Sequence, residues 1–144
     1  MAIWQFQCNI IPKRTNVEQL SLDRILSWEG VTQPAYPITF LKREGTWSSD
    51  IAQFGKSDET CLKFVFDNGT LREIECRLDL RNLTKSTLAH LLEYIENNNA
   101  MVWINGQVYS PTMEKIVEVM KQSEANQFCK NPKEYLLNKK VTLE

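Results

Sequence analysis

The chain has 144 residues, of which 42% are hydrophobic and 24% charged, and this balance is typical of a single globular domain. Its formal net charge of −1 excludes the basic excess that is usual in nucleic-acid-binding proteins. No apolar run reaches the length of a bilayer span, and the N-terminal residues lack the basic and apolar regions of a signal peptide. We therefore expect one cytoplasmic domain over residues 1–144 that binds neither nucleic acid nor membrane.

The first third of the chain predicts one regular strand and several less regular segments. Apolar residues alternate with polar ones in residues 2–11, which is the pattern of a half-buried strand that ends at Pro12. Ser21 is placed to cap a short helix over residues 22–28. Residues 36–41 are a second candidate strand, whereas residues 46–55 fit either a short strand or a single helical turn.

Residues 60–81 carry the clearest β-hairpin pattern in the chain, because two alternating runs flank Asn68-Gly69. A two-residue loop at Asn68-Gly69 would place Phe64 opposite Glu73. It would also bring further charged residues opposite apolar ones, so that both faces of the hairpin would be mixed. This simple hairpin is therefore disfavoured.

A three-residue loop, Asp67-Asn68-Gly69 with its glycine in the left-handed conformation, gives a consistent register. It places Leu62 opposite Ile74 and Val65 opposite Leu71. Because a one-residue slip would move every side chain to the other face, we predict the three-residue loop. The second strand of the hairpin then has one apolar face and one ionic face.

The clearest helix is predicted after this hairpin. Thr84 is a natural cap for residues 85–97, whose leucines and isoleucine recur at helical spacing. A second, short hairpin is expected over residues 101–109, with its turn at Asn105-Gly106. This segment therefore adds one amphipathic helix and two short strands to the fold.

Two more helices are predicted towards the C-terminus. Ser110-Pro111 supplies the cap and the first residue of one helix, and Asn131-Pro132 repeats this signal before a short terminal helix. Residues 138–144 are polar and are expected to form a frayed tail. Strands followed by helices predict an α+β fold: an antiparallel sheet of about five or six strands with two main helices packed on one face.

The cysteines do not indicate a metal or redox site. No two of them are spaced as C-x-x-C, and the predicted register puts Cys61 and Cys76 on opposite faces of the hairpin, where they cannot be bridged. We therefore expect all four to be reduced and mostly buried, and they are Cys8, Cys61, Cys76 and Cys129.

No motif in the chain specifies a reaction. His90, the only histidine, lies in a predicted helix with no nucleophile or orienting group placed beside it by a motif. The carboxylates of Glu73, Glu75 and Asp79 could serve a hydrolase or bind a metal, but Arg77 lies among them. We expect no catalytic residue, metal or cofactor, and a hydrolase that uses these carboxylates is the alternative.

Two groups of residues are candidates for binding another protein. One is the ionic face of the second hairpin strand, and the other is a pair of aromatic side chains, Trp47 and Tyr36, of the type that concentrates binding energy at interfaces. Tryptophans that line a small-ligand cavity are a further alternative. The ionic face, called the charged row below, consists of Glu73, Glu75, Arg77, Asp79 and Arg81.

Three segments resemble small bacterial immunity proteins of contact-dependent inhibition and related polymorphic toxin systems. They are W-S-S-D-I-A-Q-F-G at 47–55, E-I-E-C-R-L-D-L-R at 73–81 and S-E-A-N-Q-F-C-K-N-P-K-E-Y-L at 123–136. The resemblance implies a cytoplasmic, non-enzymatic protein that binds one cognate toxin domain and blocks its active site or the entry of its substrate. It assigns no individual residue to the contact.

Overall fold

A seven-stranded antiparallel sheet forms the centre of the computed structural model, which describes residues 1–14, 16–36 and 38–136. The strands lie in the order β2-β3-β4-β5-β1-β6-β7, so the first strand of the chain is inserted between β5 and β6. The predicted α+β class with an antiparallel sheet is confirmed, with one or two strands more than expected. The strands are β1 (Gln5–Pro12), β2 (Arg43–Glu44), β3 (Ile51–Phe54), β4 (Cys61–Asp67), β5 (Thr70–Asp79), β6 (Ala100–Ile104) and β7 (Gln107–Tyr109).

The helices follow the sequence pattern closely in the second half of the chain. The predicted helix over residues 85–97 is confirmed, and the side chain of Thr84 caps it by accepting the N–H of Thr87 at 3.1 Å. Residues 132–136 are helical, and Asn131 caps them by accepting the N–H of Glu134 at 3.2 Å. The labelled helices are α1 (Leu22–Leu26), α2 (Lys85–Asn97), α3 (Met113–Lys121) and α4 (Glu124–Lys130), and a 3-10 turn covers Val17–Gln19.

The predicted start of α3 is wrong by two residues. Its cap is Thr112, whose hydroxyl accepts the N–H of Lys115 at 3.3 Å, rather than Ser110. Pro111 is buried just before the helix instead of opening it. Ser110 and Thr112 are both good caps by residue type, and the helix uses the later one.

The predicted register of the central hairpin is also wrong. Asn68 and Gly69 both have positive φ, 51° and 80°, and Asp67 pairs with Thr70, so the loop has two residues. A bulge then leaves Arg72 without an opposite residue, because Val65 pairs with Glu73 and Phe66 with Leu71. Farther along, Phe64 faces Ile74 and Leu62 faces Cys76. The extra residue in β5 restores the alternation that the two-residue loop would otherwise break.

The segment before the hairpin differs most from the expectation. Among the described residues of 36–41 there is no strand, and Pro37 has no N–H to donate to a ladder. The strand there is the two-residue β2, which pairs with β3 through Arg43 and Phe54. The segment 46–55, left open by its pattern, contains the strand β3. The short helix α1 ends at Leu26, two residues before the predicted end.

The two faces of the sheet have different coverings. One face carries the hydrophobic core, where apolar residues of β1, β3, β4, β5 and β6 pack with buried residues of α2, α3 and α4. Trp28 joins this core, and its indole N–H donates to the carbonyl of Ile10 at 3.1 Å. The opposite face carries the polar residues of β1 and β5 and is the polar face described below. The predicted helices on one face are thereby confirmed.

The four cysteines are free thiols, as predicted, and only Cys129 is not fully buried. Cys76 lies directly opposite Cys8, whereas Cys61 lies opposite Arg77 on the other face of the sheet. Residues 138–144, predicted to be a frayed tail, lie outside the described residues.

Candidate functional site

The charged row lies along β5 and just beyond its end. In the register with β1, Glu75 faces Asn9, Arg77 faces Gln7 and Asp79 faces Gln5, so these charged side chains share the polar face. The sequence pattern had placed them on one face correctly. Their accessibility differs sharply from one residue to the next.

Asp79 is the most enclosed member of the charged row. Its side chain is 0% exposed, and its Oδ1 accepts from the backbone N–H and the Nε of Arg81 at 3.0 and 2.9 Å. Its Oδ2 accepts from Nη2 of Arg81 at 2.7 Å, and this pairing raises the pKa of the arginine. Asp79 is therefore satisfied inside the protein rather than presented to a partner.

The middle of the charged row is a second internal ion pair. Nε of Arg77 lies 2.6 Å from Oε1 of Glu75, and each side chain is 17% exposed. Nη1 of Arg77 also donates to the carbonyl of Ser57 at 3.4 Å, and Lys63 lies opposite Glu75 on β4. The charges of the row largely compensate one another.

One end of the polar face is closed by residues 55–60, called the covering loop. The side-chain amide of Gln5 donates to the carbonyls of Ser57 and Glu59 at 2.9 and 2.6 Å. The indole N–H of Trp4 donates to the carbonyl of Asp58 at 2.9 Å. Gln5 is buried as a result, and the end of the polar face near it is not a free surface.

The other end of the polar face lies beside α1. A cleft of about 370 Å³ separates this helix from the β4–β5 hairpin, and its lining includes Asp23, Val65 and Glu73. Burial raises the pKa of Glu73, and the nearby charge of Glu75 raises it further. Burial and a neighbouring carboxylate thus both oppose the ionised form of Glu73.

Tyr36 and Trp47 lie near β2 and β3, at the end of the strand order that is farther from β1. The Tyr36 ring is 48% exposed, yet it packs edge-on against the rings of Phe54, Phe64 and Phe66, with centroids 5.6 to 6.2 Å apart. Arg43 donates from Nη1 to the Tyr36 hydroxyl at 2.8 Å. The exposed tyrosine is therefore held in one position.

Trp47 lies in the connection between β2 and β3 and is 91% exposed. The Trp47 ring therefore contributes almost no buried area to the fold, although it is among the largest apolar side chains. Its exposure is better explained by a contact with another molecule than by packing within the chain. Tyr36, Arg43 and Trp47 together are called the aromatic edge below. Arg43 was not singled out from the sequence, because its role depends on the pairing of β2 with β3.

The remaining chemical groups do not assemble into a reaction centre. His90 is exposed on α2 and stacks on the ring of Phe40 at 6.4 Å. In the described part of the chain, no group of three or more histidine, cysteine or acidic side chains is placed to hold a metal ion. All buried side-chain polar atoms described by the structure have a hydrogen-bond partner.

Comparisons of the chain with protein-family models, curated proteins and solved structures found no match. Within residues 1–14, 16–36 and 38–136, no helix has the length and apolar character needed to cross a membrane.

Proposed function

We propose that the protein is a non-enzymatic binding module that holds a partner protein through its aromatic edge. The observation that carries this proposal is the 91% exposure of Trp47, which follows the strand β2 whose Arg43 holds the exposed Tyr36. Tryptophan, tyrosine and arginine are the residues that most often dominate the binding energy of protein interfaces. All three are present in the aromatic edge.

The rigidity of Tyr36 supports the proposal. A side chain that is already fixed in its bound position loses little conformational entropy when a partner binds. Three phenylalanine rings and the Arg43 guanidinium hold the tyrosine before any partner arrives. The guanidinium also lies 5.3 Å from the centre of the Phe54 ring, which restrains Arg43 itself.

A bacterial toxin domain is the partner class we propose, in line with the resemblance of three segments to immunity proteins. In this proposal the protein is cytoplasmic and blocks the toxin by covering its active site or the entry of its substrate. The charged row would contribute through its accessible members rather than through Asp79, which is buried. A small hydrolase that uses the carboxylates remains the competing hypothesis.

The experiment is a binding measurement with matched tryptophan and leucine variants. The partner is a toxin domain that the gene next to that of this chain is expected to encode, and it is first co-purified with the wild-type protein. Trp47→Ala should weaken binding by about 2 kcal/mol, or roughly 30-fold, whereas its free energy of unfolding should change by less than about 0.5 kcal/mol.

Leu22→Ala is the matched control, because Leu22 is an exposed apolar residue away from the aromatic edge, 56% accessible on α1. It should bind the toxin domain like the wild type. Equal affinity of the Trp47 variant and the wild type would reject the aromatic edge as the contact. Turnover of a substrate that a Glu75→Gln change abolishes would reject the binding module in favour of the hydrolase.

A further inference from the structure

Part of β1 has no neighbouring strand on its β6 side, because β6 ends before it reaches the start of β1. β1 pairs with β5 from Gln5 onwards, but it pairs with β6 only from Asn9 to Pro12. Asn105 and Gly106, both with positive φ, turn the chain into β7 just where β6 would reach Gln7. The segment of β1 before Asn9 is therefore an internal sheet edge.

The backbone groups of Gln7 point to this open side. Leu80 donates to the carbonyl of Trp4 at 3.1 Å, so the even-numbered residues of β1 bond to β5. Lys13 donates to the carbonyl of Asn99 at 3.1 Å, so the odd-numbered residues bond on the β6 side. By this alternation Gln7 should pair with residue 105. Among the described residues, none bonds to its N–H or its C=O.

The open edge faces the largest of the clefts described here. Its volume is about 680 Å³, and its lining includes Gln7 of β1, Trp103 of β6 and Gln122 in the connection between α3 and α4. The half-buried ring of Trp103 and the buried methyl group of Ala125 are apolar surfaces, whereas Gln122 is polar. The cleft thus offers the unpaired N–H and C=O of Gln7 together with apolar walls.

We propose that this cleft binds an extended segment of a partner protein, which adds as an antiparallel strand in line with β6. An antiparallel neighbour exchanges two main-chain hydrogen bonds with one residue, and Gln7 presents that donor and acceptor unpaired. The site is separate from the aromatic edge, so this inference does not depend on the proposed toxin partner.

The occupant is a single peptide strand rather than a second copy of this chain. β6 already lies beside β1 from Asn9 onwards. If two copies paired through their β1 edges, β6 of each copy would therefore clash with the residues that precede Gln5 in the other copy. The N–H of Gln5 is already donated to the carbonyl of Ala2 at 3.0 Å, which limits the open edge to a short run. The open edge is therefore long enough only for a short extended segment.

The experiment uses the full chain and a displayed library of random octapeptides, from which enriched peptides are synthesised. Gln7→Pro removes the unpaired N–H and no ladder bond, so the variant should fold. Its matched control is Gln7→Thr, which keeps the N–H. Enriched peptides should bind the wild type and the threonine variant alike, and the proline variant at least about fivefold more weakly.

A second variant tests the cleft without altering β1. Gln122→Trp places a large ring at the wall of the cleft and should reduce peptide binding, while the far-ultraviolet circular dichroism spectrum stays unchanged. The proposal is overturned if no peptide is enriched, or if enriched peptides bind both variants as tightly as the wild type. A wild-type chain that forms dimers, which the Gln7→Pro change dissociates, would also overturn it in favour of a second copy.

Discussion

Glu73 and Glu75 lie two positions apart on the same strand, but their surroundings differ. Glu75 lies 2.6 Å from the Nε of Arg77 in a charge-assisted hydrogen bond. Glu73 is half-buried near Asp23 and Glu75, and burial raises its pKa. One carboxylate is therefore paired with a cation on its own strand, whereas burial raises the pKa of the other.

The raised pKa of Glu73 predicts a pH dependence of stability. In the unfolded chain its carboxyl titrates at the ordinary value, whereas the folded protein holds the proton to a higher pH. Between these two values the folded state binds more protons, so stability falls as pH rises through that window. Relative to the wild type, Glu73→Gln should be more stable at about pH 7 than at about pH 3.5. Urea unfolding at both pH values measures the difference, and a relative loss of stability towards neutral pH would contradict the assignment.

Single residues show where sequence reasoning stops. Alternation was sufficient to put Glu75, Arg77 and Asp79 on one face of a strand, because side chains alternate with a period of two. It could not show that Asp79 is enclosed by Arg81 or that Trp28 is buried while Trp47 is exposed. The contact between Asp79 and Arg81 is local, but Asp79 also bonds to Thr60 and Trp28 to Ile10, and these partners are distant in the chain.

At the level of elements, the β4–β5 hairpin has two irregularities that compensate each other. The two-residue loop sets one register near the turn, and the bulge at Arg72 shifts it by one residue. Leu71 and Ile74 are consequently both buried, although residues three positions apart on a regular strand would lie on opposite faces. The sequence predicted one longer loop because a single irregularity was the simplest way to restore the alternation.

The bulge predicts which residue the hairpin can lose. Deleting Arg72 leaves Leu71, Glu73 and Ile74 in regular alternation, so we expect a folded protein destabilised by less than about 2 kcal/mol. Deleting Glu75 instead, the matched control, would move the following residues of β5 to the wrong face and should abolish cooperative unfolding. Thermal unfolding followed by circular dichroism distinguishes the two deletions. Equal tolerance of both would show that the bulge does not set the register.

The elements predicted best are those determined by local sequence. Helix α2 has its cap, its apolar stripe and its end within residues 84–98, and its bounds were predicted correctly. Strands β2 and β3 have few residues, and their pairing with each other and with β4 decides whether they form at all. Local pattern is weakest for such short strands, since most of their stabilisation comes from neighbours.

For the whole molecule, the sheet order follows from contacts between distant parts of the chain. β1 lies between β5 and β6, so the N-terminal segment must pair with strands more than sixty residues away, such as Gln5 with Asp79. Nothing in the alternation of β1 specifies those partners. The sequence therefore predicted the class of the fold but not the order of its strands or the open edge at Gln7.

The covering loop closes one end of the polar face, and Gly55 is the residue that permits this closure. Gly55 has a φ of 82°, and a β-carbon there would lie 2.1 Å from the carbonyl oxygen of Thr60. The loop that begins at Gly55 ends directly before Cys61, which is 0% exposed and whose pKa is raised by burial. The solvent accessibility of this thiol reports whether the loop is closed.

Gly55→Ala should open the covering loop and destabilise the protein by about 2 kcal/mol or more, because it combines an unfavourable φ with a backbone clash. Cys61 should then react faster with a maleimide reagent, with the labelled peptide identified by mass spectrometry. Gly45→Ala is the matched control, since a β-carbon at Gly45 meets nothing within 4 Å. It should leave both stability and labelling close to those of the wild type. Equal Cys61 labelling in the two variants would mean that the loop does not close the polar face, and the charged row would then be open to a partner.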